Sequence, residues 1–346
     1  MADQRDQGLL VGIDVGGTRI KAVLVSADDP ALAPAGPPPG PGHADPVAAE
    51  QSGHGIPQIR EPHPLASAVR PTPHPAADTL AEAVGEIVDE LLQTAGATRA
   101  QVAGLGMAVL GLVDEARGIG VYSANAGWRD LPIRDLVRDR LGVPVAIGHD
   151  VRTGLRAEAR FGAAAGARHA LFLAIGTGVA GALMVDGRLI DADGYAGELG
   201  HVIVDPLGPI CGCGGRGCLE AIASASAIGR TYTERTGIAT DAAGVAELVR
   251  AGDLAAERVW QGAVEALASA VAAAVTITGV DRGREPVQQQ GTTVGQAPAD
   301  DNVVDARDGH RSAHRASSGP LSATEPERSA RSCWPTRPPG DRRRHA

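Results

Sequence analysis

Two kinds of hydrophobic repeat alternate along this chain, and together they predict an α/β fold. Continuous or alternating apolar positions, which are typical of strands, occur in six short segments. These are residues 9–15, 20–25, 102–109, 143–147, 169–175 and 179–185. Apolar residues at helical spacing occupy 78–94, with Asp78 as the predicted cap, and also 131–141, 151–161, 224–236, 241–251 and 254–277. Strands that alternate with helices are typical of the α/β class.

Two segments interrupt this pattern because they lack apolar periodicity. Residues 28–75 are rich in Pro, Ala, Gly and His, and residues 281–346 are rich in Arg, Pro, Ser, Gly and Asp. We predict a disordered insertion or long linker for the first and a disordered tail for the second. A basic tail that binds nucleic acid is the alternative for 281–346. The rest divides into an N-terminal α/β domain over 1–124, which carries the insertion, and a C-terminal α/β domain over 125–280.

Composition and charge narrow the function classes. The 346 residues are 43% hydrophobic but only 2% aromatic, so the core must be built from Ala, Val, Leu and Ile. A formal charge of −9 argues against a general nucleic-acid or anionic-membrane surface. No apolar run reaches the roughly 20 residues of a membrane helix, and the first residues show no signal-peptide pattern. Because only Cys333 lies outside a single cysteine cluster, the chain fits a reducing cytoplasm.

The cysteine cluster has the chemistry of a zinc site. Cys211, Cys213 and Cys218 lie within eight residues, and His201 precedes them by ten. Thiolates and an imidazole are the preferred ligands of tetrahedral zinc, and the glycines between them allow the backbone to wrap around one ion. We interpret 198–220 as a structural zinc knuckle. The alternatives are three unrelated small core residues or a labile disulfide, for which Cys-x-Cys is a tight fit.

Two glycine turns have the form of phosphate-binding loops. They are Asp14-Val15-Gly16-Gly17-Thr18, followed by Lys21, and Gly176-Thr177-Gly178. Such turns expose backbone N–H groups that hold phosphate oxygens, and a carboxylate at a strand end can hold Mg²⁺ through water. Many hairpins use Gly-Gly without any ligand, so neither turn alone establishes a nucleotide site. Two such turns, one in each domain, favour a grip on a nucleotide's phosphates from both sides.

These motifs resemble those of the ROK family of bacterial sugar kinases and sugar-responsive repressors. The resemblance rests on the two glycine turns and on Gly197-Glu-Leu-Gly-His201 with Cys211-x-Cys213-x4-Cys218-Leu-Glu220. It extends over residues 9–277, apart from the insertion. It implies the two-domain actin/hexokinase-like (ribonuclease H-like) ATPase fold, a structural Zn²⁺, and Mg²⁺ with ATP.

The resemblance also implies a role for each candidate site residue. Asp150 matches the catalytic base, which accepts the proton of the sugar's primary hydroxyl; for Asp150 alone, a helix N-cap is the ordinary structural role. The implied sugar-binding residues are Gly111, Asn125, His149, Glu198, His201 and Glu220. The implied nucleotide-binding residues are Asp14, Gly16, Gly17, Thr18, Lys21, Gly176, Thr177 and Gly178. The implied zinc ligands are His201, Cys211, Cys213 and Cys218, and His201 would reach the sugar with the ring nitrogen that the metal leaves free.

Two positions and the C-terminal segment depart from the family pattern. His149 stands where the family usually has Asn, and Leu110 where it commonly has Pro. Family members continue after the long helix with a strand, an adenosine motif and final helices, and nothing after Val280 resembles these. We therefore expect an incomplete C-terminal part, and we hypothesise that the reading frame is lost near Val280.

The leading functional prediction is ATP-dependent phosphorylation of a hexose at the 6-hydroxyl, as in a glucokinase. The resemblance also implies a homodimer, and no nucleic-acid or membrane partner is expected. The first alternative is a catalytically weak or inactive sugar-binding remnant of a ROK kinase. The second is a ROK-type transcriptional repressor, which carries a winged helix ahead of the first phosphate motif, where this sequence has only eight residues before Leu9.

Overall fold

The computed structural model describes residues 8–33, 62–77, 79–123 and 125–279. The chain forms two compact units. The first contains the described residues up to Phe172 together with Ala182–Gly197, and the second contains Leu173–Gly181 and the described residues from Glu198 to Gly279. These units differ from the domain boundary after residue 124 that the sequence suggests. The predicted tail over 281–346 lies outside the described residues.

The described residues form the following strands and helices. The strands are β1 Leu9–Val15, β2 Arg19–Ser26, β3 Ala66–Pro71, β4 Val102–Val109, β5 Leu112–Asp114, β6 Ile119–Ser123, β7 Trp128–Leu131, β8 Val145–His149, β9 Ala170–Ile175, β10 Val179–Val185 and β11 Arg188–Leu189. The helices are α1 Leu80–Ala95, α2 Ile133–Leu141, α3 Asp150–Phe161, α4 Leu219–Ala223, α5 Ala225–Thr236, α6 Ala242–Arg250 and α7 Leu254–Thr278. The N-cap of α1 is Thr79, and the predicted cap Asp78 lies outside the described residues.

A five-stranded mixed sheet organises the first unit. Its order is β3-β2-β1-β4-β8, with β1 parallel to β4 and β4 parallel to β8. Val15 of β1 pairs with Val109 of β4, and Val109 pairs with His149 of β8. Because parallel strands end at the same edge of a sheet, the segments that follow β1, β4 and β8 all leave from one edge. The first glycine turn, Gly111 and Asp150 lie in these segments.

Residues 66–71 correct the predicted insertion, because they form β3 at the edge of the central sheet. Ala66 pairs with Leu24 and Pro71 pairs with Arg19, in antiparallel register. Ala66 and Ala68 are buried while Ser67 and Val69 are exposed, which is the alternation of a half-buried strand. Alanine is too small and too weak a strand former to make this pattern visible in a Pro- and Ala-rich sequence.

A second feature that the hydrophobic pattern did not predict is the three-stranded antiparallel sheet of β5, β6 and β7. Its strands are only three to five residues long, too short for a periodic signal. Trp128 of β7 is 2% exposed and belongs to the core of the first unit. This sheet carries Glu115 and Asn125 on its connecting turns.

The core of the second unit is formed by α4 to α7, with α7 in contact with each of the other three helices. The buried face of α7 consists of small residues at helical spacing: Ala256, Val259, Ala263, Ala266, Ala270 and Ala274. Among the described residues, α7 is the one helix long and apolar enough to cross a membrane by length and composition. By this criterion, the sequence-based expectation that no segment is apolar enough to cross a membrane is not met. Core helices pass the same test, so α7 is weak evidence for a membrane.

Candidate active site and metal centre

The first glycine turn follows β1 at the shared edge of the five-stranded sheet. Its carbonyl groups are bound from one side by the chain that follows β3. The Thr72 hydroxyl donates to the Gly16 carbonyl at 2.7 Å, and the Thr72 N–H donates to the Thr18 carbonyl at 3.0 Å. A ring nitrogen of His74 lies 3.0 Å from the Gly17 carbonyl. The turn is therefore fixed through its carbonyls, an arrangement that suits a loop whose N–H groups hold an anion.

Asp14 and Lys21 face each other on neighbouring strands beside this turn. They are paired in the register of β1 and β2, and the Lys21 ammonium lies 3.7 Å from the Asp14 carboxylate. Burial raises the pKa of Asp14, while the charge of Lys21 opposes that shift. The carboxylate is about half exposed, so it can reach a hydrated cation.

Gly111 occupies a position that only glycine fits. Its φ is +88°, and a Cβ atom added there would lie 2.8 Å from the Ser123 Cβ and closer still to the Tyr122 carbonyl oxygen. The backbone at Gly111 therefore lies in close contact with Tyr122 and Ser123 of β6. Asn125 is exposed, and its Cβ lies 3.9 Å from the position that a Cβ on Gly17 would take. The predicted sugar-binding asparagine thus lies beside the first glycine turn.

Asp150 is the first residue of α3, directly after β8. The N-cap of this helix is His149, so Asp150 does not hold the capping position that is the ordinary role of Asp at such a junction. One Asp150 carboxylate oxygen accepts the Val151 N–H at 2.7 Å and lies 3.4 Å from Nε2 of His149. The side chain is 36% exposed, which leaves part of the carboxylate open to a substrate.

His149 is held in its neutral form. Its side chain is 10% exposed, and burial together with the charge of Arg152 lowers its pKa to about 4, although Glu115 opposes the shift. Nδ1 is buried and has no hydrogen-bond partner among the described residues. A neutral imidazole offers one donor and one acceptor, whereas the Asn that is usual in the family offers an acceptor oxygen and an NH₂ group with two donors, at a different reach.

This pKa shift predicts a loss of stability in acid. Between pH 6.5 and pH 4 the unfolded chain protonates this histidine while the folded chain does not, so the free energy of unfolding should fall as the pH falls. The loss attributable to His149 should total about 3 kcal/mol. Urea denaturation of wild type and His149→Asn across this range would measure it. Parallel pH curves for the two proteins would contradict the prediction, because protonation of other groups affects both equally.

In the second unit, the turn Gly176–Gly178 lies between β9 and β10. The Gly176 N–H donates to the Gly178 carbonyl at 2.9 Å, which closes the turn, and Thr177 is exposed at its tip. A Glu220 carboxylate oxygen accepts the Val179 N–H at 3.0 Å. The predicted sugar-binding glutamate is therefore fixed against the second glycine turn.

The predicted zinc ligands converge in the second unit. One ligand atom from each of His201, Cys211, Cys213 and Cys218 lies within 4.8 Å of all the others. Nδ1 of His201 is 3.8 Å from Sγ of Cys211, and the sulfurs of Cys213 and Cys218 are 3.7 Å apart. Tetrahedral zinc with bonds of about 2.3 Å places its sulfur ligands about 3.8 Å apart. The three thiols are free, so the structure does not contain the disulfide that was the alternative to a metal site.

The surroundings of these ligands also fit a metal. Nδ1 of His201 points to the cluster, and Nε2 lies 3.8 Å from the Glu198 carboxylate. The Gly215 N–H donates to Sγ of Cys213 at 3.4 Å, a contact that suits a thiolate. Burial raises the pKa of the Cys211 and Cys218 thiols, so metal binding would have to displace their protons. Zn²⁺ bound by these four residues would fix the segment that runs from Glu198 to Glu220, in the first turn of α4.

The predicted site residues therefore form two groups, one in each compact unit. The first unit collects the first glycine turn, Gly111, Asn125 and the His149–Asp150 pair at one sheet edge. The second unit collects the second glycine turn, Glu220, Glu198 and the metal cluster.

Comparison with known proteins identifies the family. The sequence model described as ROK family matches residues 63–282, more than half of the chain. The chain belongs to the ROK family. The glucokinase of Thermotoga maritima is 34% identical to this ROK chain over 221 residues, which covers 58% of this chain and 69% of that enzyme. Proteins described as xylose repressors also match, over 36% of this chain.

Solved structures of ROK proteins share this fold. The ROK hexokinase of Thermus thermophilus has a TM-score of 0.60 at 29% identity, covering 79% of each chain. A ROK family glucokinase of Streptomyces griseus, solved in complex with glucose and AMPPNP, has a TM-score of 0.59 at 25% identity, covering 79% of this chain and 81% of that one. The family and the α/β hexokinase-like fold predicted from the motifs are thereby confirmed.

Four residues of this site were missed by sequence reasoning. Thr72 and His74 fix the first glycine turn but fall in the segment interpreted as an insertion. Glu115 and Arg152 form a buried pair next to Asp150, although 37 positions separate them. A charged pair of this kind has no local sequence signal, because the spacing depends on the loops between its elements.

Proposed function

We propose that this protein transfers the γ-phosphoryl group of ATP to the 6-hydroxyl of a hexose. The observation that carries the proposal is the position of Asp150, whose carboxylate follows β8 at the sheet edge shared with the Asp14–Thr18 turn. A proton acceptor and a phosphate-binding turn are the two parts that a sugar kinase must place next to each other.

In the proposed reaction, Asp150 accepts the proton of the hexose 6-hydroxyl while that oxygen attacks the γ-phosphorus. The new O–P bond forms as the bond to the β-phosphate oxygen breaks, and ADP leaves with its electron pair. The N–H groups of the glycine turns would bind phosphate oxygens, apart from those of Gly16 and Gly176, which donate to the Arg19 and Gly178 carbonyls. Asp14 would hold hydrated Mg²⁺, which neutralises phosphate charge. Such chemistry depends mainly on positioning and charge neutralisation.

Sugar recognition is assigned to the residues that match the sugar-binding positions of the family. Asn125 and neutral His149 would contact sugar hydroxyls, and Gly111 would allow the sugar to approach the backbone. Glu198, His201 and Glu220 are also assigned to sugar hydroxyls, in the segment that the metal would fix. Carboxylates suit this task because they accept hydrogen bonds from hydroxyls, and the Nε2–H of a metal-bound His201 would donate one to a hydroxyl oxygen.

The comparisons support the kinase over the repressor. The glucokinases of Thermotoga maritima and Streptomyces coelicolor match over 58% and 71% of this chain, whereas the xylose repressor of Bacillus subtilis matches over 36% and a putative xylose repressor of Caldicellulosiruptor over 44%. The Streptomyces griseus relative has glucose and an ATP analogue in its structure. A homodimer in a reducing cytoplasm is part of the proposal, and the free thiols of the cluster support that compartment.

The test is an assay of the full chain with Mg-ATP and a panel of hexoses and N-acetylhexosamines. Transfer to the 6-hydroxyl should yield ADP together with a product that glucose-6-phosphate dehydrogenase oxidises when glucose is the acceptor. Hexose binding by calorimetry without ADP formation would refute the kinase and support the sugar-binding remnant. Sequence-specific DNA binding that responds to sugar would instead support the repressor.

A further inference from the structure

Arg152 is unusual because it is charged and yet 1% exposed. Among the described residues it is the only Arg, Lys, Asp or Glu in the buried class. It lies two residues after Asp150, in the first turn of α3. None of the phosphate, sugar or metal roles assigned above uses it.

The guanidinium of Arg152 connects α3 to two other segments of the first unit. Nε donates to Oε1 of Glu115 at 2.7 Å, and Nη2 donates to the Val113 carbonyl at 3.3 Å. A longer contact of 3.5 Å joins Nη1 to the Gly194 carbonyl. Arginine suits this position because its planar group presents several donors in a fixed geometry.

Glu115 connects the same network to the residue before Asp150. Its Oε1, which accepts from Arg152, also accepts the backbone N–H of His149 at 3.2 Å. Its Oε2 accepts from Arg156 at 3.2 Å, and the carboxylate is 12% exposed. Glu115 therefore binds the backbone at 149 and the side chain at 152, the positions on either side of Asp150 and Val151.

The stability of the fold does not explain this pair. Removing two charges from water costs several kcal/mol, and apolar residues of similar volume are often as stabilising. An apolar pair would not supply directional bonds, and these bonds fix the backbone at the junction of β8 and α3. There is also little free space, since a Cβ on Gly148 would lie 2.6 Å from Thr153 Oγ1 and 3.8 Å from Oε2 of Glu115.

The geometry points to Arg152 and Glu115 as positioning residues for Asp150. They hold the β8–α3 junction so that the Asp150 carboxylate stays within reach of the hexose 6-hydroxyl. The inference rests on the proposed function. Displacement of a catalytic group by about 1 Å can cost about 100-fold in rate, so loss of the network should act on turnover much more than on sugar binding.

The test compares Arg152→Met with the matched control Arg134→Met. Arg134 also donates to two backbone carbonyls of the β5–β6 connection, those of Ala116 and Arg117, at 3.0 and 2.6 Å. Its hydrogen bonds do not involve β8 or α3. Calorimetry with the preferred hexose counts the folded, sugar-binding molecules in each preparation, and turnover is then expressed per binding site.

Arg152→Met should lower turnover per binding site by about 100-fold while the hexose Kd changes by less than about threefold. Arg134→Met should keep turnover per binding site within about threefold of wild type even if it unfolds at a lower temperature. Arg152→Lys keeps the positive charge but lacks the planar guanidinium group. Its turnover per binding site should lie between those of wild type and Arg152→Met.

Wild-type turnover per site in Arg152→Met would overturn the positioning role, as would a loss of hexose affinity in proportion to turnover. If Arg152→Met binds no hexose, Glu115→Gln decides: a turnover about tenfold lower with unchanged hexose Kd supports the role, and unchanged turnover overturns it. Absence of turnover in the wild-type chain would instead refute the proposed function, and the positioning role with it.

Discussion

Asp150→Asn is expected to lower turnover with hexose and Mg-ATP by about 1,000-fold, because general-base catalysis contributes about 10² to 10⁴. Asparagine keeps the size of the side chain but cannot accept the proton of the 6-hydroxyl. The carboxylate accepts the Val151 N–H, and the amide oxygen of Asn can preserve that bond. Steady-state kinetics should therefore show a large fall in kcat with little change in the hexose KM.

The control for this variant is Asp139→Asn on α2. Asp139 is 69% exposed and lies in a surface ion pair with Arg138, so its replacement should leave kcat within about twofold of wild type. Turnover by Asp150→Asn close to that of the control would show that Asp150 is not the base. The effect of Arg152→Met must stay smaller than that of Asp150→Asn, because a positioning residue acts only through the group that it positions.

Cys218→Ser is expected to abolish zinc binding and to destabilise the second unit by at least about 3 kcal/mol, because a structural metal contributes directly to folding. Cys218 is fully buried and caps α4, the helix that begins next to Glu220. Loss of the metal should therefore also weaken hexose binding. Elemental analysis should find one zinc per wild-type chain, and thermal unfolding should shift downward in the variant and in chelator-treated wild type.

The fourth cysteine supplies a matched control for this experiment. Cys333 lies outside the described residues and follows Cys218 by 115 positions in the sequence. Cys333→Ser should retain zinc, stability and hexose affinity. If wild-type protein produced in zinc-supplemented medium contains no transition metal, the metal site is refuted. Zinc retained at the wild-type level in Cys218→Ser would remove this cysteine from the ligand set.

The local motifs were predicted well because each depends on a short stretch of chain. The hairpin of β1 and β2, the helix α7 and the cysteine cluster are each specified by residues close together in sequence. Apolar spacing determines the strands and helices, and ligand chemistry identifies His201 and the three cysteines without any knowledge of the fold. Glycine turns are also recognisable from a short stretch of sequence, because their backbone geometry restricts the residue type.

The tertiary structure decided which of these pieces face one another. Parallel pairing of β1, β4 and β8 places the Gly16 turn and Asp150 at one edge, although 134 positions separate them. The alanines of β3 have little strand preference of their own. This strand therefore forms because it pairs with the edge of β2. The buried Arg152–Glu115 pair likewise exists only because α3 lies next to the turn that connects β5 and β6. Side-chain chemistry can be read along a chain, but contact between distant residues is set by strand register and packing.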